Sequence, residues 1–403
     1  MASREDAEKA LSKPAPYGPD IDLSKYRIEE PSTGLLDSSV LDNRILSTTE
    51  RVGINIKSIA YLQANETALY SAMAKALSKY GVIVKPLREA LKEYEFSRKL
   101  AWSLVDPTSD KYTAAAYLYG GEIGYFIYVP PNTRVPVPIY SCLALIGNNR
   151  VQFAHNIVYV DSGAEAHVVT GCAIPHGVSD GVHIGISEFF VGKNARLTFT
   201  MIHAWAEGLH VRPRTVVNVD KGGEYVSYYV IYSPIGSLQT YPKIYLKQGA
   251  KAHTASVIAS SGNGVYDVGS KIVFEEDSSS GESVSRVIAR DKSKVYARAD
   301  LEALETGVKG HIECLGLLLS NEAFISSIPI ITSRKYGALL SHEAAIGLIA
   351  ERELSYLMSK GFTEEEAKAV LIRGFMNIDV PIPHSIKREV DKILDIVSRY
   401  AVG

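Results

Sequence analysis

A chain of 403 residues with 46% apolar and 22% charged side chains is long and apolar enough to bury a large core in two or three domains. A formal net charge of -2 gives no general attraction for nucleic acid or an anionic membrane, and no apolar run approaches the roughly 20 residues of a spanning helix. The start, Met1-Ala2-Ser3-Arg4-Glu5-Asp6, lacks a following apolar signal core, so a cytoplasmic location is expected, with neither nucleic acid nor membrane as partner.

Residues 1–115 read as a mixed helical and strand region whose first 45 residues are irregular. From Glu66 to Tyr80, Leu69, Met73, Leu77 and Tyr80 follow helical spacing, and Gly81 is placed to stop the helix. Val82-Ile83-Val84 then reads as a short strand, and Pro86 opens a second helix through Tyr94.

Residues 116–335 change texture. Short β-branched and aromatic runs, such as Tyr125-Phe126-Ile127-Tyr128-Val129 and Ala195-Arg196-Leu197-Thr198-Phe199, alternate with Gly, Asn, Asp and Lys. Gly163, Gly192, Gly222 and Gly249 each precede a new run, with separations of 29, 30 and 27 residues. A period near 30 suggests the stacked units of a β-solenoid, although a β-sandwich with regular turns leaves the same trace.

From residue 336 to 403 the pattern is helical. Leu354, Leu357 and Met358 share a face, Gly361 ends that helix, and Thr363-Glu364-Glu365-Glu366 has capping-box form for the next. Pro381 and Pro383 break the chain before a last helix carrying Ile386, Val390, Ile393, Leu394 and Val397. Three helices on a strand-rich body make a docking module.

Cys142, Cys172 and Cys314 are too few for a disulfide framework, fit a reducing compartment and contain no C-x-x-C pair. Cys314 lies 28 residues before His342, which with Glu343 falls in Ser341-His342-Glu343-Ala344-Ala345 at the opening of the helical tail. Thiolate, imidazole and carboxylate together suit iron, zinc or an iron–sulfur cluster, and spacing alone does not choose. One chain cannot supply four cysteines, so such a site needs other ligands or a second subunit.

The other histidines show no zinc-protease spacing, Gly262-Asn263-Gly264 is a surface turn, and no G-x-x-x-x-G-K-[ST] loop exists to hold nucleotide phosphates. A stand-alone β-helical enzyme acting on a small or saccharide substrate is the competing reading. It needs converging carboxylates, and Glu275-Glu276-Asp277 reads as a solvated loop.

Several separated segments resemble the SufB/SufD scaffold proteins of the SUF iron–sulfur assembly system, more closely SufB. They are Phe126-Ile127-Tyr128-Val129-Pro130, Thr170-Gly171-Cys172-Ala173-Ile174-Pro175, His203-Ala204-Trp205, Cys314 with Leu317-Leu318-Leu319, and His342-Glu343-Ala344. The most specific is Leu354-Ser355-Tyr356-Leu357-Met358-Ser359-Lys360-Gly361-Phe362 running into Thr363-Glu364-Glu365-Glu366-Ala367. The resemblance implies a mainly β fold: a right-handed parallel β-helix core between a mixed α/β N-terminal region and a C-terminal helical domain. It also implies a non-enzymatic scaffold that accepts sulfur and iron and builds a transient, nascent iron–sulfur cluster. Implied partners are a SufC-like ABC ATPase docking on the C-terminal helices, a SufB/SufD-like subunit in a homodimer or heterodimer, and a sulfur-donor desulfurase system. Participation of flavin stays open.

By the same resemblance Cys172 receives sulfur inside the β-helix, Trp205 and Lys221 belong to that route, and Cys314, His342 and Glu343 are ligands of the cluster. A lysine ammonium near Cys172 would favour its thiolate. Three positions depart from the SufB pattern: His203 stands where glutamine is usual, and Ala144 and Ile146 where arginine and asparagine are common. A SufD-like subunit that supports assembly without accepting sulfur is the alternative these departures keep open.

Overall fold

The glycine-punctuated repeat folds as a parallel β-solenoid and not as a sandwich. The computed structural model describes residues 3–29, 43–70, 72–120, 122–382 and 384–402. Its helices are α1 Arg4–Ala10, α2 Asn43–Arg51, α3 Ala72–Leu77, α4 Leu87–Glu93, α5 Glu95–Leu100, α6 Lys111–Tyr119, α7 Glu351–Ser359, α8 Glu364–Phe375 and α9 His384–Val402. The strands of the N-terminal region and first turns are β1 Ile59–Ala64, β2 Thr67–Tyr70, β3 Ile83–Pro86, β4 Tyr125–Val129, β5 Ile139–Ala144, β6 Val151–Val160, β7 Glu165–Ala173 and β8 Asp180–Val191. The middle turns hold β9 Arg196–Ala204, β10 Gly208–Val211, β11 Arg214–Val219, β12 Glu224–Ile231, β13 Ser237–Thr240, β14 Lys243–Leu246 and β15 Lys251–Ser260. The last turns hold β16 Val265–Phe274, β17 Ser280–Ala289, β18 Lys294–Ala303, β19 Lys309–Leu318, β20 Phe324–Ser333 and β21 Leu339–Gly347.

Strands one turn of chain apart pair in parallel, which builds two facing sheets among the described residues. The first sheet runs β2-β1-β5-β7-β9-β12-β15-β17-β19-β21, and the second contains β3, β4, β6, β8, β11, β14, β10, β13, β16, β18 and β20. Among the described residues, only β1–β2 and β3–β4 are antiparallel. Stacking requires tight corners at the same height in successive turns. Gly163 and Gly222 have positive φ there, and a Cβ would meet Asn132 Oδ1 at 2.5 Å and Asn194 Oδ1 at 2.3 Å.

Side chains alternate between two environments. The inward set, including Leu143, Cys172, Leu197, Tyr225, Ile258, Val287 and Cys314, forms one continuous core between the sheets. Outward residues of the first sheet, such as Tyr228, Val230, Val257 and Ile288, pack with Val52 and Ile54, with Ile372 of α8 and Met376 just after it, and with Val390, Ile393, Leu394 and Val397 of α9. The side chain of Ile386 lies outside the described set. On the second sheet, Val151, Phe153, Val182 and Ile184 receive Ile21, Val105 and the α6 residues Tyr112 and Ala115. A buried carboxylate fixes the loop before α6: Glu188 accepts the N–H groups of Trp102, Leu104 and Val105 at 2.6, 2.7 and 3.1 Å and meets His155 Nε2 at 2.7 Å.

Three sequence expectations are corrected. The start is not wholly irregular, because Ser3 and Asp6 form a capping box on α1; residues 30–42 lie outside the described set. The helix expected from Glu66 begins only at Ala72, since Asn65, in the left-handed region, turns Thr67–Tyr70 back onto β1 as a hairpin. The segment opening the expected helical tail is strand β21, because the free edge of β19 offers it a full ladder of backbone partners. Helix begins at Glu351. Thr363 and Glu366 do form the capping box of α8, and Gly361 has φ +97° after α7.

Candidate functional site

In a parallel ladder, residues in register send their side chains to the same face, and so do residues two positions along. One inward column therefore runs Thr170, Met201, Tyr229, Ser256, Ser285, Cys314. Its neighbour runs Phe199, Ser227, Thr254, Ser283, Ile312, His342. Cys172 and His203 share the column on the other side. Cys172, Cys314 and His342 thus face one interior. Five strand steps of about 4.8 Å separate β7 from β19, so the two cysteines lie about 24 Å apart along the stack.

The strip between them is polar for a solenoid interior. A cavity of about 70 Å³ is bordered by Met201, His203 and Tyr229 at one end and by Thr254, Ser283 and Ser285 toward the other. Ser270 Oγ bonds Thr254 Oγ1 at 3.2 Å and Ser283 Oγ at 2.9 Å, which places hydroxyl groups from both sheets in contact.

Cys172 is fully buried, and burial, reinforced by nearby Cys142, holds its thiol well above the ordinary range. Its Sγ lies 3.6 Å from Met201 Sδ. Trp205, just past β9, is also fully buried; its backbone N–H donates to Ser233 Oγ at 2.5 Å and its backbone carbonyl accepts from Arg51 Nη2 at 3.0 Å. Arg51 also donates to the Ile174 carbonyl at 2.9 Å, which fastens the chain ends after β7 and β9 to α2. Around the indole stand His183 and His203, with ring centroids at 5.2 and 5.5 Å. Burial pushes His183 down to about 4, and burial plus His183 holds His203 well below the ordinary imidazole range. Both imidazoles are neutral at neutral pH. Gln152 donates through Nε2 to the Ala144 carbonyl at 2.8 Å, so its Oε1 accepts the Nδ1–H of His183 at 2.9 Å.

Lys221 is not the ammonium beside Cys172. Cys172 registers with His203 and His203 with Ile231, at the C-terminal end of β12, whereas Lys221 sits exposed in the turn before Glu224 at the opposite end. The seven steps from Glu224 to Ile231 alone span about 23 Å.

At the far end, Cys314 is 4% exposed and registers with Ala344, while His342 stands beside Ile312 on the exposed final strand. Cys314 and His342 are diagonal neighbours on adjacent strands. Glu343 belongs to the other face, since it registers with Glu313, which pairs outward with Arg286. Strand alternation therefore separates the expected carboxylate ligand from the imidazole. No group of three or more His, Cys, Asp or Glu positioned to hold a metal occurs among the described residues. The residues that sequence reasoning missed are His183, Met201 and Tyr229. For Met201 and Tyr229 the signal was their parity with Cys172 and His203, which appears only once the register is known; His183 comes from β8 of the facing sheet and reaches the site through its ring contacts with His203 and Trp205.

Glu275 and Glu276 are held by Lys247 at 2.9 and 3.6 Å. No helix among the described residues is long and apolar enough to cross a membrane.

Residues 144–375 match the model of the SUF system FeS cluster assembly SufBD core domain. A protein of Methanothermobacter thermautotrophicus described as an iron-sulfur cluster assembly SufBD family protein is 37% identical over 402 residues, covering 97% of both chains. One of Archaeoglobus fulgidus with the same description is 37% identical over 357 residues, covering 87% of this chain and 94% of the relative. One of Staphylococcus aureus, also so described, is 29% identical over 374 residues, covering 89% and 79%.

Proposed function

Because this chain belongs to the SufBD family of iron–sulfur cluster assembly proteins, we propose that it is a scaffold subunit that takes up sulfur at Cys172 and assembles cluster at Cys314. The observation that carries this reading is the shared inward face: two thiols at opposite ends of one polar strip, with His342 on the same face at the exposed rim. At Cys172 the thiolate attacks the terminal sulfur of a donor persulfide, the donor's S–S bond breaks, and the donor thiolate leaves. Cys314 is about 24 Å further along the stack, beyond direct exchange, so a small thiol carries the sulfur. Its thiolate attacks the terminal sulfur of the Cys172 persulfide, the Cys172 thiolate leaves, and the carrier persulfide passes the sulfur to the Cys314 thiolate and leaves as its own thiolate. At Cys314 the thiolate and the His342 imidazole hold iron, the growing cluster being cargo and not a resident group. Glu343 remains on the outer face and is left to a ligand reached around the free edge.

Two chain ligands do not complete an iron site, so a second SufB/SufD-like subunit supplies the rest. The free edge of β21 suits it, because a ladder of unpaired backbone groups invites another strand-bearing surface. The ATPase partner docks on α7. No α7 residue is buried, and Tyr356 and Met358 are exposed, whereas α8 and α9 each bury apolar residues against the solenoid.

Anaerobic reconstitution with iron and sulfide, in the presence of a SufC-like ATPase and a SufB/SufD-like partner, tests the reading by visible absorption. The parent protein yields a coloured cluster, and Cys314→Ser yields none while its circular dichroism stays unchanged. A normal cluster yield in that variant would remove Cys314 from the site. The second reading, a SufD-like subunit that accepts no sulfur, draws on the full burial of Cys172 and the remoteness of Lys221. Absence of sulfane sulfur on Cys172 after exposure to a desulfurase persulfide would favour it.

A further inference from the structure

Beside Cys172 the interior holds two polar atoms without partners: Nε2 of His203 and Nε1 of Trp205. Their residues are 1% and 0% exposed. Buried donors are almost always satisfied, so two in one aromatic cluster point to something that satisfies them.

The proton on His203 can be placed. Tyr229 Oη lies 2.8 Å from His203 Nδ1, and burial raises the phenol well above its ordinary range, so the hydroxyl keeps its proton. A neutral imidazole has one donor nitrogen and one acceptor. If Tyr229 donates to Nδ1, Nε2 carries the hydrogen and one group is left open. The other tautomer would strand the phenolic proton as well. His203 therefore presents an N–H at Nε2, as Trp205 does at Nε1.

We infer that these two N–H groups form a buried site for a sulfur anion, either the terminal sulfur of a persulfide on Cys172 or free hydrosulfide. The inference rests on sulfur acceptance at Cys172 for the first source only. Cys172 Sγ makes its hydrogen bond with Met201 Sδ, and neither N–H reaches Sγ, so the pair addresses an atom beyond it. A disulfide-type bond of about 2.05 Å carries a terminal sulfur into that space. His203 and Met201, which adjoin Cys172, both border the interior cavity. No cation competes for it: the Arg51 guanidinium donates to two carbonyls, and Lys221 is at the far end of the ladder. Neutral donors walled by aromatic rings favour a large, soft, weakly hydrated anion over phosphate or carboxylate.

The test uses the full chain carrying Trp102→Phe, which leaves Trp205 as the sole tryptophan. Under anaerobic conditions its emission is followed during titration with sodium hydrosulfide, and separately after loading with a polysulfide salt. In loading, the Cys172 thiolate takes a sulfur as one polysulfide S–S bond breaks and the shortened polysulfide leaves. Both arms are repeated with Cys172→Ser. A saturable change that survives Cys172→Ser assigns the site to free hydrosulfide, and one seen only on loaded Cys172 assigns it to the persulfide; either supports the inference. His203→Phe should then weaken the response about tenfold or more, the loss expected for one hydrogen bond to a charged group, and His203→Gln, which keeps a donor, should restore most of it. No saturable response in either arm, or one indifferent to His203→Phe in a protein of native circular dichroism, overturns it. If hydrosulfide binds but cyanolysis finds no sulfane sulfur on Cys172, the donor pair stands and the acceptor role of Cys172 falls.

Discussion

The rungs around Cys172 and around Cys314 in the solenoid's first sheet are built from the same strand repeat but sit in opposite surroundings, one at the closed end of the polar strip and one at the open end. Around Cys172 every layer is covered: the two sheets enclose the thiol, α2 clamps the ends of β7 and β9, and the imidazoles of His183 and His203 are held neutral. Around Cys314 the cover gives out: the last strands β20 and β21 carry Phe324, Leu339 and Ile346 to the surface, and Leu348 just past β21 is exposed as well. Parallel stacking alone therefore does not decide burial; what lies over a rung does. A closed end can protect a reactive sulfur from water, and an open one can meet iron and a partner.

Substitution at the closed end should show the largest cost. Glu188→Ala removes the acceptor of three backbone N–H groups and the partner of His155, and should cost about 3 kcal/mol or more. Thermal unfolding would read this as a clear drop in Tm, and an unchanged Tm would deny that the carboxylate holds the loop before α6. Glu343→Ala at the open rung should cost less than about 0.5 kcal/mol.

Acid should act on the closed end as well. The folded pKa of His183 lies below its unfolded value, so the unfolded chain binds the proton more readily, and stability is lost as pH falls from about 6.5 toward about 4. The shift is worth about 3 kcal/mol at full effect. Unfolding curves from pH 7 to pH 4.5 would measure it, and His183→Gln should flatten the dependence.

At the open end, Leu339→Asp with Ile346→Asp should change the chain's own unfolding by no more than about 0.5 kcal/mol, both positions being exposed. Association measured by analytical ultracentrifugation with a SufB/SufD-like subunit should nevertheless be lost. Unaltered association would move the subunit contact elsewhere. The mildest effect is kinetic: brief alkylation of the native protein should label Cys314 before Cys142 or Cys172, which are 0% exposed. Simultaneous labelling of all three would mean that the closed end opens as a unit.

Much of this was legible in residues. Glycines spaced near 30 marked the turns, Thr363 and Glu366 marked the start of α8, and the segments around Cys172, Cys314 and His342 carried the family. What was hidden depended on long-range register. Whether residues 339–347 extend or coil is decided by the free edge of β19, and nothing local to them states that an edge is there. Likewise, Lys221 and Cys172 look related along the chain, but the ladder puts them at opposite ends of strands two steps apart. His342 and Glu343 are adjacent in sequence and on opposite faces for the same reason.

The central claim is that sulfur entering at Cys172 reaches Cys314 through the interior. The most direct measurement delivers isotopically labelled sulfur from a desulfurase persulfide and locates it by peptide mass spectrometry in the parent protein and in Cys172→Ser. Label on Cys172 early and on Cys314 later, with none on Cys314 in Cys172→Ser, is the result this structure predicts. Equal labelling of Cys314 with and without Cys172 would contradict it.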